Sequence, residues 1–367
     1  MRIGIVGTRG IPNFYGGFEQ FAQYLSEGLV KAGHEVFVYN CHNHPFKEES
    51  WNGVNLLHCY DPEYKIGTVG QFIYDLNCII DSRKRDFDII LQLGYTSSSI
   101  WNWLFPKNIP IITNMDGLEW KRSKYSRLVQ LFLKFAERLA VIFSDKLISD
   151  SKGIQSYLRE KYNKDSVFIP YGANIFSSPN ESVLKDYNLA PYKYDMLISR
   201  LEPENSIEEI LEGFANSGID RDFLVIGNTK TSLAKKLKKK YADTRIRFIG
   251  YVKEIDKLDS LRYYSNLYFH GHTVGGTNPS LLEAMASRAF ICAHDNVFNK
   301  SILGKDALYF SSSEEVCFFV KSKLKIPTEK SILSNIEKVS KIYSWEIIIA
   351  KYESFLKDNL KTRDFLN

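Results

Sequence analysis

The stretch HGHTVGGTNPSLLEAMA, residues 270–286, gathers side chains suited to holding an anion. Gly275 and Gly276 let the backbone come close to a ligand. Thr277, Asn278 and Ser280 then offer hydroxyl, amide and backbone donors. The Leu281, Leu282, Ala284 and Met285 pattern predicts a buried helix from about residue 280. The first amides of a helix lack partners within it, and its dipole favours negative charge there. Glu283 is the one carboxylate on this apolar helix. Two readings of it stay open: Ser280-Leu-Leu-Glu283 has capping-box spacing, or the acid accepts hydrogen bonds from ligand hydroxyls. His270 and His272 stand two apart at a strand end. Alternation aims them at opposite faces, which makes a poor metal pair. Either one of them lines the ligand cleft, or both are structural.

Arg200 closes the strand pattern DMLISR and belongs to the carboxyl edge of a sheet, where open parallel sheets bind ligands. Its guanidinium suits bidentate pairing with a diphosphate. The competing role is a surface ion pair with Glu202 or Glu204. Near the start, strand RIGIVGT leads through RGIPNFYGGFEQ into a helix, with Gly16 and Gly17 at the junction. These glycines either admit a phosphate to the helix start or only make a tight turn. The loop is neither a Walker sequence nor G-x-G-x-x-G, which counts against ATPase and nicotinamide-cofactor chemistry. No metal centre is expected.

The elements that must position these residues follow from length and patterning. At 367 residues the chain is more than twice the ~150 of a usual domain. Strand-like runs alternate with helical ones (RIGIVGT, EVFVYN, DIILQLG, IPIITNM, DKLISD). The alternation restarts after a polar stretch beginning near residue 173 (DMLISR, DFLVIG, IRFIG, LYFHG, FICAH). This predicts two α/β domains with parallel sheets. Residues 1–175 form the first, 190–340 the second, and a helix within 341–367 packs back on the first. A formal charge of +5, from 48 basic and 43 acidic residues, excludes a general nucleic-acid binder. Five scattered cysteines without C-x-x-C spacing fit reduced thiols. The opening MRIGIVG has no export-signal pattern, and no apolar run reaches the ~18 residues of a membrane span.

Residues 120–139, WKRSKYSRLVQLFLKFAERL, read as one helix. Leu128, Leu131, Phe132, Phe135 and Leu139 share a face, and Lys124, Arg127, Lys134 and Arg138 run beside it. Trp101, Trp103 and Phe105 precede the segment. Such a helix suits an anionic membrane surface, or a core with a solvated basic edge.

The second half resembles the nucleotide-sugar domain of GT-B glycosyltransferases, specifically the retaining family 4. Arg200-Leu201 after a strand matches its donor-phosphate motif. GGTNPSLLEAMA matches its Glu-x7-Glu signature, and the likeness extends to YGGFE and the SWE-type closing helix. The fold implied is two Rossmann-like domains facing each other across a cleft. The resemblance gives Glu283 the ribose hydroxyls, and Arg200 with the amides of Thr277 to Leu281 the diphosphate. Gly16 and Gly17 would serve the first domain's side of the nucleotide sugar. Three positions depart from the pattern. Gly275 replaces the first Glu, and Asn205 replaces a Lys, removing one cation. Met115 replaces a His whose function Asp116 or Glu119 would take over. RG-P-YGGFE, MDGLEWKR, RLEPEN and HGH-VGGTNPSLLEAM are shared with bacterial rhamnosyltransferase-like enzymes. That subgroup implies transfer of L-rhamnose from dTDP-rhamnose to a lipid-diphosphate-linked saccharide in surface-polysaccharide assembly, without a metal; the alternatives are a UDP- or GDP-sugar donor, or a non-catalytic nucleotide-sugar-binding protein. The enzyme would be cytoplasmic and peripheral on the inner face of the membrane.

Overall fold

The computed structural model describes residues 1–122, 125–242, 244–322 and 328–364. Lys124, one of the predicted basic stripe, lies outside the described residues. The chain divides into two compact units. The first comprises Met1–Lys121, Tyr125–Gly172 and the C-terminal segment from Trp345. The second comprises Ala173–Ser344, joined by Arg122.

The first unit is built on strands β1 (Arg2–Val6), β2 (Glu35–Cys41), β3 (Ser50–Trp51), β4 (Val54–Cys59), β5 (Ile89–Leu93), β6 (Ile111–Asn114), β7 (Lys146–Ser149) and β8 (Val167–Phe168). They lie in the order β3-β4-β2-β1-β5-β6-β7-β8, all parallel except the β3–β4 pair. Every residue of β5 is buried, as expected of a parallel strand covered on both faces. The last helix, Trp345–Asp364, is part of this unit. Its Tyr352 hydroxyl accepts from Asn114 Nδ2 (2.9 Å), Trp345 stacks on Tyr24 (4.7 Å), and Glu353 Oε1 meets His34 Nε2 (3.0 Å). Gly28, inside the Gly17–Lys31 helix, packs directly against the last helix. A Cβ there would stand 2.3 Å from Ile349.

The second unit holds β9 (Tyr194–Ile198), β10 (Asp222–Ile226), β11 (Ile246–Gly250), β12 (Leu267–His270), β13 (Ile291–His294) and β14 (Leu308–Phe310). All are parallel, in the order β11-β10-β9-β12-β13-β14. Counted within the unit this is 3-2-1-4-5-6, the Rossmann order. Its core joins Leu197, Phe223 and Phe269 of the strands to Leu211, Phe214 and Val316 of the covering helices.

Two sequence expectations change. The polar stretch after residue 173 contains a 3₁₀ helix, Glu181–Tyr187, that buries Val183 and Leu184. Residues 120–139 are not one helix but a 3₁₀ turn, Glu119–Lys121, and a helix, Arg127–Phe143. Ser126 takes an extended conformation and its side chain caps that helix by accepting from Val129 N–H, so the helix starts there.

The tight approach at Gly28 is testable. Gly28→Val should destabilise the protein by about 1–3 kcal/mol, the usual cost of overpacking. It should also raise protease susceptibility near the last helix; an unchanged urea midpoint would show that Ile349 can move aside.

Candidate functional site

In a Rossmann order the sheet reverses direction of growth between its first and fourth strands, and ligands bind outside the carboxyl ends there. In the second unit that point lies between β9 and β12. The connections leaving them, residues 199–206 and 271–278, carry Arg200 and the two-glycine loop. They are pressed together: a Cβ on Gly271 would sit 2.0 Å from the Asn205 carbonyl oxygen, so only glycine fits. Thr273 donates from both its N–H and its hydroxyl to the Glu204 carbonyl (3.0 and 2.9 Å).

Arg200 is exposed and forms no ion pair among the described residues. The surface pairing with Glu202 or Glu204 is therefore not what this fold makes. Glu204 is buried and faces Arg122, whose Nη1 lies 3.7 Å from Glu204 Oε1. Asn205, expected at the ligand, is also buried, and its amide donates to the Arg200 carbonyl at 2.6 Å. It holds the loop's shape and offers no charge.

The helix after β12 spans Pro279–Ala286 with Asn278 as its N-cap, and Pro suits that first helical position. Asn278 Oδ1 accepts from both the Ser280 N–H and the Ser280 hydroxyl, each at 3.0 Å. Leu281 N–H donates to the Asn278 carbonyl at 3.1 Å. Two expectations are thereby corrected. Ser280 is not the cap of a Ser280–Glu283 box, and Ser280 and Leu281 use their amides inside the turn, while Pro279 has none. The amides of Gly275, Gly276 and Asn278 make no protein hydrogen bond among the described residues, and Thr277 is buried between them and the helix. Gly275 has φ +134°, with open space where a Cβ would project. A side chain there would be strained, although nothing blocks it.

Glu283 is held by a residue that the sequence reading passed over. Its Oε2 accepts from Arg262 Nη2 at 2.6 Å, and Arg262 Nη1 donates to Asp259 Oδ1 at 2.6 Å. Ser287 Oγ closes the network onto Asp259 Oδ1 at 2.9 Å. Arg262 is only 1 % exposed, while the Glu283 side chain is 19 % exposed. Burial opposes the guanidinium charge, but Glu283 and Asp259 outweigh it and its pKa is raised. Burial likewise pushes the Asp259 carboxyl up, with Arg262 pulling against it. The pattern is a fixed cation orienting a carboxylate whose edge reaches solvent. Asp259 three residues before Arg262, on one face of the Ile255–Tyr263 helix, was the available signal.

His270 and His272 do not diverge. Their rings stack at 4.4 Å with 13° between planes, because β12 ends at His270 and alternation stops with it. Burial lowers both, His270 to about 3, so both rings are neutral near pH 7.

In the first unit, Gly16 N–H and Tyr15 N–H both donate to Asn13 Oδ1 (3.1 and 2.9 Å). Glu19 Oε1 accepts from Arg9 N–H at 3.1 Å. The Gly16 amide is thus part of a turn instead of facing a phosphate, and Gly17 opens the helix. Asp116 follows β6 in the left-handed region, φ +48°, with its amide donating to Asn114 Oδ1 at 3.0 Å. Such backbone strain in a non-glycine residue is typical of functional positions. Glu119 opens the 3₁₀ turn, and Met115 is buried. Asp116 and Glu119 belong to the first unit, and Arg200 to Glu283 to the second.

Two Asp-x-Asp spacings, Asp86/Asp88 and Asp220/Asp222, lie at the amino ends of β5 and β10. Arg2, Arg245 and Arg247 engage them, and they are far from the carboxyl edges. Among the described residues no three His, Cys, Asp or Glu converge as a metal-ligand set.

Residues 1–174 match a family described as a domain of unknown function (DUF1972). No curated protein matches the chain. Among solved structures it is similar to sucrose-phosphate synthase from Thermosynechococcus elongatus, at 17 % identity and TM-score 0.81, covering 98 % of this chain and 99 % of that one. It is also similar to HepE from Anabaena in complex with UDP and glucose (15 %, TM-score 0.77, 97 % and 99 %). A third is the E. coli trehalose-6-phosphate protein bound with UDP-2-fluoro glucose (12 %, TM-score 0.74, 97 % and 99 %). The fold is that of the GT-B glycosyltransferases, α/β with two Rossmann-like domains.

The Arg262 network predicts a measurable asymmetry. Arg262→Met should cost about 3–5 kcal/mol in chemical denaturation, since it takes the buried cation away from two half-buried carboxylates, Glu283 and Asp259. Adding Glu283→Gln and Asp259→Asn should recover much of that loss. Equal instability of single and triple variants would mean that packing, not charge, is what Arg262 supplies.

Proposed function

We propose that this chain is a nucleotide-sugar-dependent glycosyltransferase. The observation that carries the reading is the switch point of the second unit. An exposed Arg200, the amides of Gly275 and Gly276, and a helix start flank a carboxylate, Glu283, that Arg262 holds in place. The first three suit a diphosphate. Glu283 suits the ribose hydroxyls. HepE with UDP and glucose, and the trehalose-6-phosphate protein with UDP-2-fluoro glucose, support a nucleotide sugar as the donor class.

The finer reading rests on the motifs. It is a retaining family 4 enzyme that passes L-rhamnose from dTDP-rhamnose to a lipid-diphosphate-linked saccharide of a surface polysaccharide. The acceptor hydroxyl attacks the anomeric carbon from the face that the diphosphate leaves. The new C–O bond forms as the sugar–phosphate bond breaks, and the diphosphate departs with the electron pair. The hydroxyl proton goes to a base, for which Asp116 and Glu119 are the candidates in the first unit. Catalysis then depends on stabilising the departing diphosphate. Arg200 and the loop amides provide this without a metal.

The Arg127–Phe143 helix supports a membrane-facing acceptor. Its inner face is anchored by buried Glu137, which accepts from Tyr157 and Tyr162 hydroxyls (2.7 Å each), Lys161 Nζ (3.1 Å) and Trp120 Nε1 (3.0 Å). The opposite face leaves Leu128 79 %, Leu131 62 % and Phe135 54 % exposed, beside Lys134, Arg127 and Arg138. Of the five residues expected to share a face, Leu128, Leu131 and Phe135 are thus at the surface, while Phe132 and Leu139 are half-buried. Trp103 is exposed as well, whereas Trp101 and Phe105 pack inward. No described helix is long and apolar enough to cross a membrane. We read this face as a peripheral contact with the anionic cytoplasmic leaflet, where each basic residue contributes about 1 kcal/mol.

Thermal stabilisation by a panel of dTDP-, UDP- and GDP-sugars tests the donor. A ligand at ~100 times its Kd stabilises by about 2.7 kcal/mol, and Arg200→Ala should remove most of the shift. A shift with dTDP-rhamnose above the others selects rhamnosyl transfer, one with UDP-glucose selects the alternative donor, and none with any donor would count against the reading. For the membrane face, Leu131→Asp/Phe135→Asp should abolish co-sedimentation with phosphatidylglycerol vesicles. If binding persists, another surface makes the contact.

A further inference from the structure

The carboxyl ends of β9 and β12 hold charged and polar groups beyond those assigned above. Arg122 groups with the second unit, 3.7 Å from Glu204, with the guanidinium 15 % and the carboxylate 5 % exposed. Glu204 Oε2, Ser199 Oγ, His272 Nδ1 and both ring nitrogens of His270 are buried and, among the described residues, have no hydrogen-bond partner. Native structures leave few such atoms. With Glu204 Oε2 set aside as a carboxylate oxygen, four of them, on Ser199, His270 and His272 at the ends of β9 and β12, mark a place built to receive a polar guest.

The charges say which guest. Arg200 and Arg122 are the charged groups that act on the His272 ring, which burial already holds neutral, and both are cations. The balance is positive, so the guest is anionic. Asn205 contributes no charge, since its amide is tied to the Arg200 carbonyl.

We propose that Arg122 is a second cationic contact to the donor's diphosphate, positioned by Glu204, with His272 as a neutral hydrogen-bonding group at the same anion. This rests on the nucleotide-sugar reading and adds a residue remote in sequence to its phosphate site. Glu204 is a positioning residue: its buried carboxylate holds the guanidinium beside the loop without neutralising both arginines. His272, stacked on His270 and unable to take up a proton near pH 7, binds without adding charge.

The test compares a diphosphate with the same base lacking it. Binding of UDP, dTDP and GDP, and of uridine, thymidine and guanosine, is measured by calorimetry on the full chain. Because Arg122→Gln leaves Glu204 unpaired, Arg122→Gln/Glu204→Gln is measured beside it, with thermal unfolding as a folding check. Both variants should weaken the preferred nucleoside diphosphate about ten- to a hundredfold, the range for a lost charge-assisted contact. Nucleoside affinity should stay unchanged, and Arg122→Lys should retain most of the diphosphate preference. The proposal fails if the double variant binds the diphosphate as the wild type does, or loses nucleoside in equal measure, which is the mark of a merely structural role. A wild-type chain that binds none of the three diphosphates removes the nucleotide reading, and this inference with it.

Discussion

Strands β9 and β12 lie side by side, and the loops leaving them touch at Gly271 and the Asn205 carbonyl with no room for a Cβ. That contact governs the second unit's site. It brings the Arg200–Ser206 loop against the His270–Asn278 loop, so residues some seventy positions apart act as one surface. The fold's strand order makes the junction, since neighbouring crossovers leave in opposite directions there. Glycine at 271 lets the loops close, and the Thr273 bonds to Glu204 keep them closed.

Charge in this unit is arranged by burial. Arg262, almost wholly buried, cannot shed its proton and is bracketed by Asp259 and Glu283. A buried pair of this kind adds little net stability, because desolvation offsets attraction. What it does provide is orientation, fixing one carboxylate edge toward solvent. The stacked histidines show the opposite outcome, since burial keeps both neutral, with Arg200 and Arg122 acting in the same direction on His272. One helix start and its preceding loop thus present a hydrogen-bond-donating side in the amides and an anionic side in Glu283.

The first unit uses the same device for another end. Glu137, enclosed by three tyrosines, a lysine and a tryptophan, ties the inner face of the Arg127–Phe143 helix to the Lys152–Tyr162 helix and to the turn carrying Glu119. With its polar anchor buried, the helix turns apolar residues outward. The usual inside-out rule is inverted on this one face.

Much of the architecture was legible in the sequence because it rests on local pattern. Alternating β and α runs announced parallel sheets, glycine pairs marked the loops, and apolar periodicity located the Pro279–Ala286 helix within a residue. Single positions proved harder wherever partners lie far along the chain. Spacing alone left Glu283 open between a capping acid and a ligand acceptor; Arg262 holds it, and no local rule pairs residues twenty-one apart. The Arg127–Phe143 face had the composition of a core, and only the position of Glu137 shows that the core is on its other side. The histidines were assigned opposite faces by a periodicity that stops where the strand stops. The sequence by itself determined which elements form and which chemical groups they carry. Tertiary packing decided which of those groups meet, because burial and charge pairing depend on distances that only the closed fold defines.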